Sequence, residues 1–151
     1  MQEDSAGNAP LRIGVLQRAG KQPRLSNLLQ TINGFEVTAY SSLRALRIAS
    51  VRTPLHVVVA DPDLPNEGWT VSVAESLNEF IAPVIPVILV SVTPNDAEVV
   101  RRRATHLAHI LLAGSLDVAS LDSIVRGTIA ACGKRLPTTD GSRSACRPNL
   151  L

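Results

Sequence analysis

The sequence predicts a doubly wound α/β domain: a five-stranded parallel sheet in the order 2-1-3-4-5, flanked by five helices. Three observations predict it. Short apolar runs recur along the chain with helical patterns between them, the alternation expected of successive βαβ units. Two of those runs, LHVVVA (55–60) and VIPVILV (84–90), are apolar at nearly every position, as strands covered on both faces of a parallel sheet must be. The 151 residues are 45% hydrophobic and 19% charged, enough for one ordinary domain with a real core. Right-handed crossovers then favour the order given.

Each element has its own signal. LRIGVL (11–16) is short, apolar and β-compatible. Arg24 to Thr31 carries Leu25, Leu28 and Leu29 at helical spacing, and Asn33-Gly34 stops that helix. FEVTAY (35–40) alternates as a strand does. Ser41-Ser42 offers an N-cap to a helix with Leu43, Leu46 and Ile48, which ends before Pro54. LHVVVA is the third strand, and a loop from Asp61 to Gly68 leads to a helix with Val71, Val73, Ala74, Leu77 and Phe80. VIPVILV is the fourth strand. Asn95 or Asp96 caps the next helix, whose Arg101-Arg102-Arg103 reads as a solvated face. HILLA (109–113) is the fifth strand, and Leu116 to Ala131 the last helix, closed by Gly133. The domain spans 11–133. Residues 1–10 read as a disordered segment, and 134–151, rich in Pro, Ser, Thr and Arg, as a linker or flexible tail.

Composition excludes several classes. The most apolar stretch, Ile81 to Val90, is ten residues long and holds Pro83 and Pro86, too short and broken for a membrane span. The start, MQEDSAGNAP, has no apolar core for a secretory signal, so the expected location is cytoplasmic. Between Leu11 and Gly133, eleven Arg and Lys face ten Asp and Glu, and aromatics are limited to Phe35, Tyr40, Trp69 and Phe80. The segment therefore has neither the charge nor the stacking platform for direct nucleic-acid binding. Cys132 and Cys146 read as incidental thiols, and His56, His106 and His109 are scattered, so no metal site is expected. No phosphate-cradling glycine loop follows the first strand, and no G-x-S-x-G elbow exists. No cofactor is expected.

In an open parallel sheet, function sits beyond the carboxyl ends of the strands. Those positions are Gln17 and Arg18, Asp61, Ser91, and Ala113 with Gly114. HVVVADPDLPNEGW (56–69) resembles the third strand and following loop of the response-regulator receiver family, with Asp61 in the place of the phospho-acceptor and Leu64-Pro65 and Gly68 in the turn. PVILVS (86–91) resembles its fourth strand, with Ser91 in the place of the phosphate-contacting hydroxyl. SLDSIVRGTIAACGKRLPT resembles the last helix and linker of the LuxR-type branch, where a DNA-binding domain follows. The resemblance covers residue 11 to about 139 and implies a flavodoxin-like fold, a regulatory role and a homodimer.

The departures from that family are equally specific. Gln17-Arg18 stands where receivers place two carboxylates for Mg²⁺, and Ala113-Gly114 stands where they place Lys-Pro. His109 or Ile110 replaces the switch aromatic. The expected function is that of a pseudo-receiver: a non-enzymatic signalling domain acting through protein contacts, with Asp61 unphosphorylated and Arg18 either a solvated surface arginine or a cation that pairs with Asp61 in place of Mg²⁺. Asp63 is expected to face the turn. A phosphorylatable receiver using Asp61 is the alternative, and a small flavodoxin-like cofactor binder or enzyme a second.

Overall fold

A computed structural model describes residues 9–18, 24–62, 70–112 and 117–135. The elements are β1 (Leu11–Leu16), α1 (Arg24–Gln30), β2 (Phe35–Tyr40), α2 (Leu43–Arg52), β3 (Val57–Ala60), α3 (Thr70–Phe80), β4 (Val87–Val92), α4 (Pro94–Arg103), β5 (His109–Leu112) and α5 (Val118–Arg135). All strand pairs are parallel, and the sheet order is β2-β1-β3-β4-β5, as the sequence predicts.

Period-2 alternation sorts the strand side chains into two cores, one on each face of the sheet. Leu16, Val58, Ala60, Val87 and Leu89 join Leu46 of α2, Leu77 of α3 and Val100 of α4. Ile13, Val15, Val57, Val59, Ile88 and Val90 join Leu25 and Leu29 of α1 and Leu121 and Val125 of α5. All four residues of β3 are fully buried, which is why that run is apolar throughout. β2, at the edge, alternates between half-buried and exposed residues over most of its length.

Element ends differ from the sequence reading for identifiable reasons. β3 starts at Val57 instead of Leu55: the Arg12 N–H is taken by the His56 ring Nδ1 at 2.8 Å, and the His56 N–H, given to the Arg12 carbonyl at 2.8 Å, is where the strand joins β1. β4 starts at Val87 because the N–H groups of Val84 and Ile85 still turn back to the Ile81 carbonyl, and Pro86 has none. The cap of α4 is Thr93, whose hydroxyl accepts the Asp96 N–H at 3.3 Å, with Pro94 at the first helical position, so neither Asn95 nor Asp96 caps it. Ser42 caps α2 as expected, accepting the Ala45 N–H at 3.1 Å. The last helix does not close at Gly133 but runs to Arg135, and the Asp117 carboxylate receives the Ser120 N–H near its start. Cys132 is disulfide-bonded, contrary to its reading as an incidental thiol; the sequence's other cysteine, Cys146, lies outside the described residues.

One contact fastens α5 to the far edge of its face. The Arg126 guanidinium donates to Asp122 Oδ1 at 2.5 Å and to the Asn33 carbonyl at 2.6 Å, and lies 4.9 Å from the Phe35 ring centre. Asn33 belongs to the turn in which Gly34 takes φ +90°, a conformation that glycine adopts without a Cβ penalty.

Candidate functional site

The parallel register brings the strand ends together. Leu16 pairs with Ala60 and Ala60 with Leu89, while the Asp61 N–H donates to the Leu16 carbonyl at 2.8 Å and the Gln17 N–H to the Tyr40 carbonyl at 3.0 Å. Gln17, Arg18, Asp61 and Ser91 thus lie together at the carboxyl-terminal side of the inner strands β1, β3 and β4. Asp63, Ala113 and Gly114 lie outside the described residues.

Gln17 is 9% exposed, and both ends of its amide are engaged. Its Oε1 accepts the backbone N–H of Ser26 at 3.1 Å, and its Nε2 donates to Ser26 Oγ at 3.1 Å. Ser26 is the third residue of α1, where a backbone N–H has no partner within the helix. Gln17 supplies that partner from β1 and locks strand to helix. Sequence reasoning placed Gln17 at the crevice but missed Ser26; the available signal was a small polar residue between Leu25 and the helical Leu28-Leu29 pair.

Ser91 has an unusual backbone. Leu89 pairs with Ile110 and Val92 with Leu112, so β4 spends one more residue than β5 between the two pairs. That extra residue marks a bulge, and Ser91 within it has φ +60° and is exposed. The insertion reverses the alternation, which is how Val92 comes to pack on the same face as Leu89 and lie 1% exposed. A left-handed φ is unfavourable for a side chain with a Cβ and worst for a β-branched one. Ser91→Gly is therefore expected to hold or raise stability, and Ser91→Val to lower it by about 1–2 kcal/mol. Urea midpoints of the two variants check the order; equal midpoints would contradict it.

Partial burial at the start of β5 holds the His109 imidazole below its ordinary value of 6.5. Its contribution to stability is complete above about 6.5 and is lost as pH falls toward the lowered folded value, because the unfolded chain binds the proton more readily across that window. The urea midpoint should accordingly fall less between pH 7.5 and pH 5 in His109→Gln than in the unmodified chain.

The donor set does not suit a magnesium ion. A hard divalent cation needs several anionic or neutral oxygens converging on it. The side-chain oxygen of Gln17 is already an acceptor for Ser26, Arg18 carries positive charge beside it, and no group of three His, Cys, Asp or Glu side chains converges among the described residues. No helix among them is long and apolar enough to cross a membrane.

No known family profile and no curated relative matches the chain. Solved structures do. It is similar to a response regulator receiver domain (CheY-like) from Methylobacillus flagellatus, at 18% identity and TM-score 0.59, over 79% of this chain and 98% of that one. It is also similar to the receiver domain of a sensor histidine kinase from Pseudomonas aeruginosa, at 19% identity and TM-score 0.59, over 81% of this chain and 99% of that one. In that protein a magnesium ion is coordinated in the active site cleft. At these identities the likeness is one of fold: the chain has the five-stranded receiver architecture.

Proposed function

We propose that this chain is a receiver-like signalling domain that works through protein contacts and without phosphorylation of Asp61. The observation that carries the reading is Gln17. Its neutral amide occupies a place where the receiver resemblance calls for a carboxylate, and both its polar atoms are consumed in holding Ser26. Phosphoryl transfer to a carboxylate depends on a cation to offset developing charge, and the donors here favour an arginine over a metal. In this reading Arg18 pairs with Asp61, a guanidinium on a carboxylate, and the charge of the crevice is balanced without a metal. The domain is then a constitutive, non-enzymatic surface acting in the cytoplasm, either alone or ahead of a DNA-binding domain.

Incubation with acetyl phosphate and Mg²⁺, followed by intact-mass measurement, tests it. No gain of a phosphoryl group is expected, and Arg18→Asp should restore metal affinity only in part. A gain abolished by Asp61→Asn would establish the alternative, a phosphorylatable receiver, for which Asp61 and Ser91 together at the carboxyl-terminal side of β3 and β4 are the supporting features.

The same reading includes a homodimer that needs no phosphodonor. Leu112 of β5 and Val118 of α5, 38% and 37% exposed, offer it apolar contact. Light scattering should give a mass of two chains at micromolar concentration, and a concentration-independent single-chain mass would count against it.

A further inference from the structure

A second surface lies on the helices, not at the strand ends. On α2, Arg44, Arg47, Ile48 and Val51 fall at i, i+3, i+4 and i+7, one continuous stripe on the side away from buried Leu46. With Ser76 and Phe80 of α3 they line a groove of about 690 Å³. Its apolar part is unusually open: Ile48 is 45%, Val51 83% and Phe80 43% exposed. The Arg47 guanidinium lies 3.8 Å from the Phe80 ring centre.

The charge of the groove is of one sign. α2 carries Arg44, Arg47 and Arg52 and no acidic residue, and among the described residues none of the three has a carboxylate partner. Elsewhere Arg12 pairs with Glu36, Arg103 with Glu75 and Arg126 with Asp122, while Arg101 and Arg102 on the exposed face of α4 are, like those of α2, without a carboxylate partner among the described residues. Glu75 of α3 is thereby drawn to α4, away from the groove. What remains is an apolar channel edged by unneutralised guanidinium groups.

From this we infer that the α2–α3 groove is a docking site for an acidic amphipathic helix of a partner protein. The stripe from Arg44 to Val51 is about two turns long, the span over which a partner helix of roughly three turns presents apolar residues at i, i+4 and i+7. Glutamates flanking that apolar row would meet Arg44 and Arg47. The chain's own acidic start, MQEDSAGN, cannot serve, since Met1 and Ala6 are all the apolar side chains it has to place in the channel. The groove is also poorly made for nucleic acid: its floor is aliphatic, and Arg47 already covers the Phe80 ring. The inference rests on the reading of the chain as a contact module and names the class of its partner.

The test titrates the full ¹⁵N-labelled chain with a fluorescent sixteen-residue helical peptide carrying leucines on one face and glutamates beside them, and with its lysine counterpart. Saturable anisotropy is expected for the glutamate peptide alone, weakening with salt, with amide shifts confined to α2 and the C-terminal half of α3. The double variant Arg44→Glu/Arg47→Glu should weaken it at least about tenfold and transfer preference to the lysine peptide. Ile48→Ser and Val51→Ser should weaken binding without that transfer. Thermal melts confirm that these exposed positions leave the fold intact. Equal binding of the two peptides, shifts centred elsewhere, or no saturable binding of the glutamate peptide either before or after acetyl phosphate treatment overturns the inference. So does a rise in chain mass with concentration that Arg44→Glu/Arg47→Glu removes, which would make a second copy the occupant, or preferential capture of a single-stranded oligonucleotide. A parallel series after acetyl phosphate treatment separates the two readings. Peptide binding that appears only then keeps the groove and overturns phosphorylation independence, whereas shifts centred elsewhere without treatment do the reverse.

Discussion

Gln17→Leu is expected to destabilise the domain by about 2–3 kcal/mol. Leucine fills the volume but offers no acceptor to the Ser26 N–H and no donor to its hydroxyl, and each unsatisfied buried polar group costs about 1–3 kcal/mol. The loss should appear as a lower urea midpoint with an unchanged slope. Gln17→Glu separates shape from charge. A carboxylate still accepts the Ser26 N–H, the hydroxyl of Ser26 can turn to donate instead of accept, and the start of α1 favours negative charge. Its expected cost is under about 1 kcal/mol at neutral pH. Gln17→Asp is the informative third member. One methylene shorter, it cannot reach Ser26 as glutamine does, so it should be nearly as destabilising as leucine while presenting an acid at the crevice.

That series explains why one position cannot serve two ends here. A side chain long enough to secure α1 spends its oxygen on a helix amide, and a side chain short enough to stay at the strand end leaves the helix unsecured. The chain takes the first solution. An unfolding free energy for Gln17→Leu within about 0.5 kcal/mol of the unmodified chain would show that Gln17 holds nothing, and would remove the main support for reading the crevice as fixed.

The sequence made the sheet legible because its central strands β3 and β4 are buried on both faces: LHVVVA and VIPVILV cannot be solvated, and the strand order follows from crossover handedness. Strand starts were less legible. Pro86 lies inside an apolar run, and hydrophobicity alone reveals neither that its missing N–H delays β4 to Val87 nor that the His56 ring takes the Arg12 N–H ahead of β3. The cap of α4 was misplaced because Asn95 and Asp96 are good capping residues, yet Pro94 fixes the first helical position and makes Thr93 the cap. At the site, the strand-end rule located Gln17, Arg18, Asp61 and Ser91. It could not give the partner of Gln17, which is nine residues away and reached only when β1 and α1 meet, nor the bulge at Ser91, whose trace is the register against β5. The α2–α3 groove escaped because its stripe mixes two arginines with two aliphatics, and a mixed face reads as ordinary helix surface until α3 is set beside it.

Leu121→Ala should cost about 3 kcal/mol, within the 2–5 kcal/mol range for a leucine removed from a tight core. Leu121 is fully buried in the cluster that also holds Val59, Ile88, Val90 and Val125, so truncation leaves a cavity between α5 and the sheet. The damage should be local first. α5 is also held by Arg126 at the turn around Asn33, a contact that survives the substitution, and hydrogen exchange should accelerate through α5 before β1 and β3 are affected. The opposite face provides the sharper consequence. Leu46, Leu77 and Val100 belong to the other core, and the arginine-edged groove is built on that side. Leu121→Ala should therefore bind the glutamate peptide as the unmodified chain does at a temperature where both are folded. Loss of peptide binding in a folded Leu121→Ala variant would mean that the sheet transmits the state of α5 to α2 and α3, and the groove would then be a switched surface instead of a constitutive one.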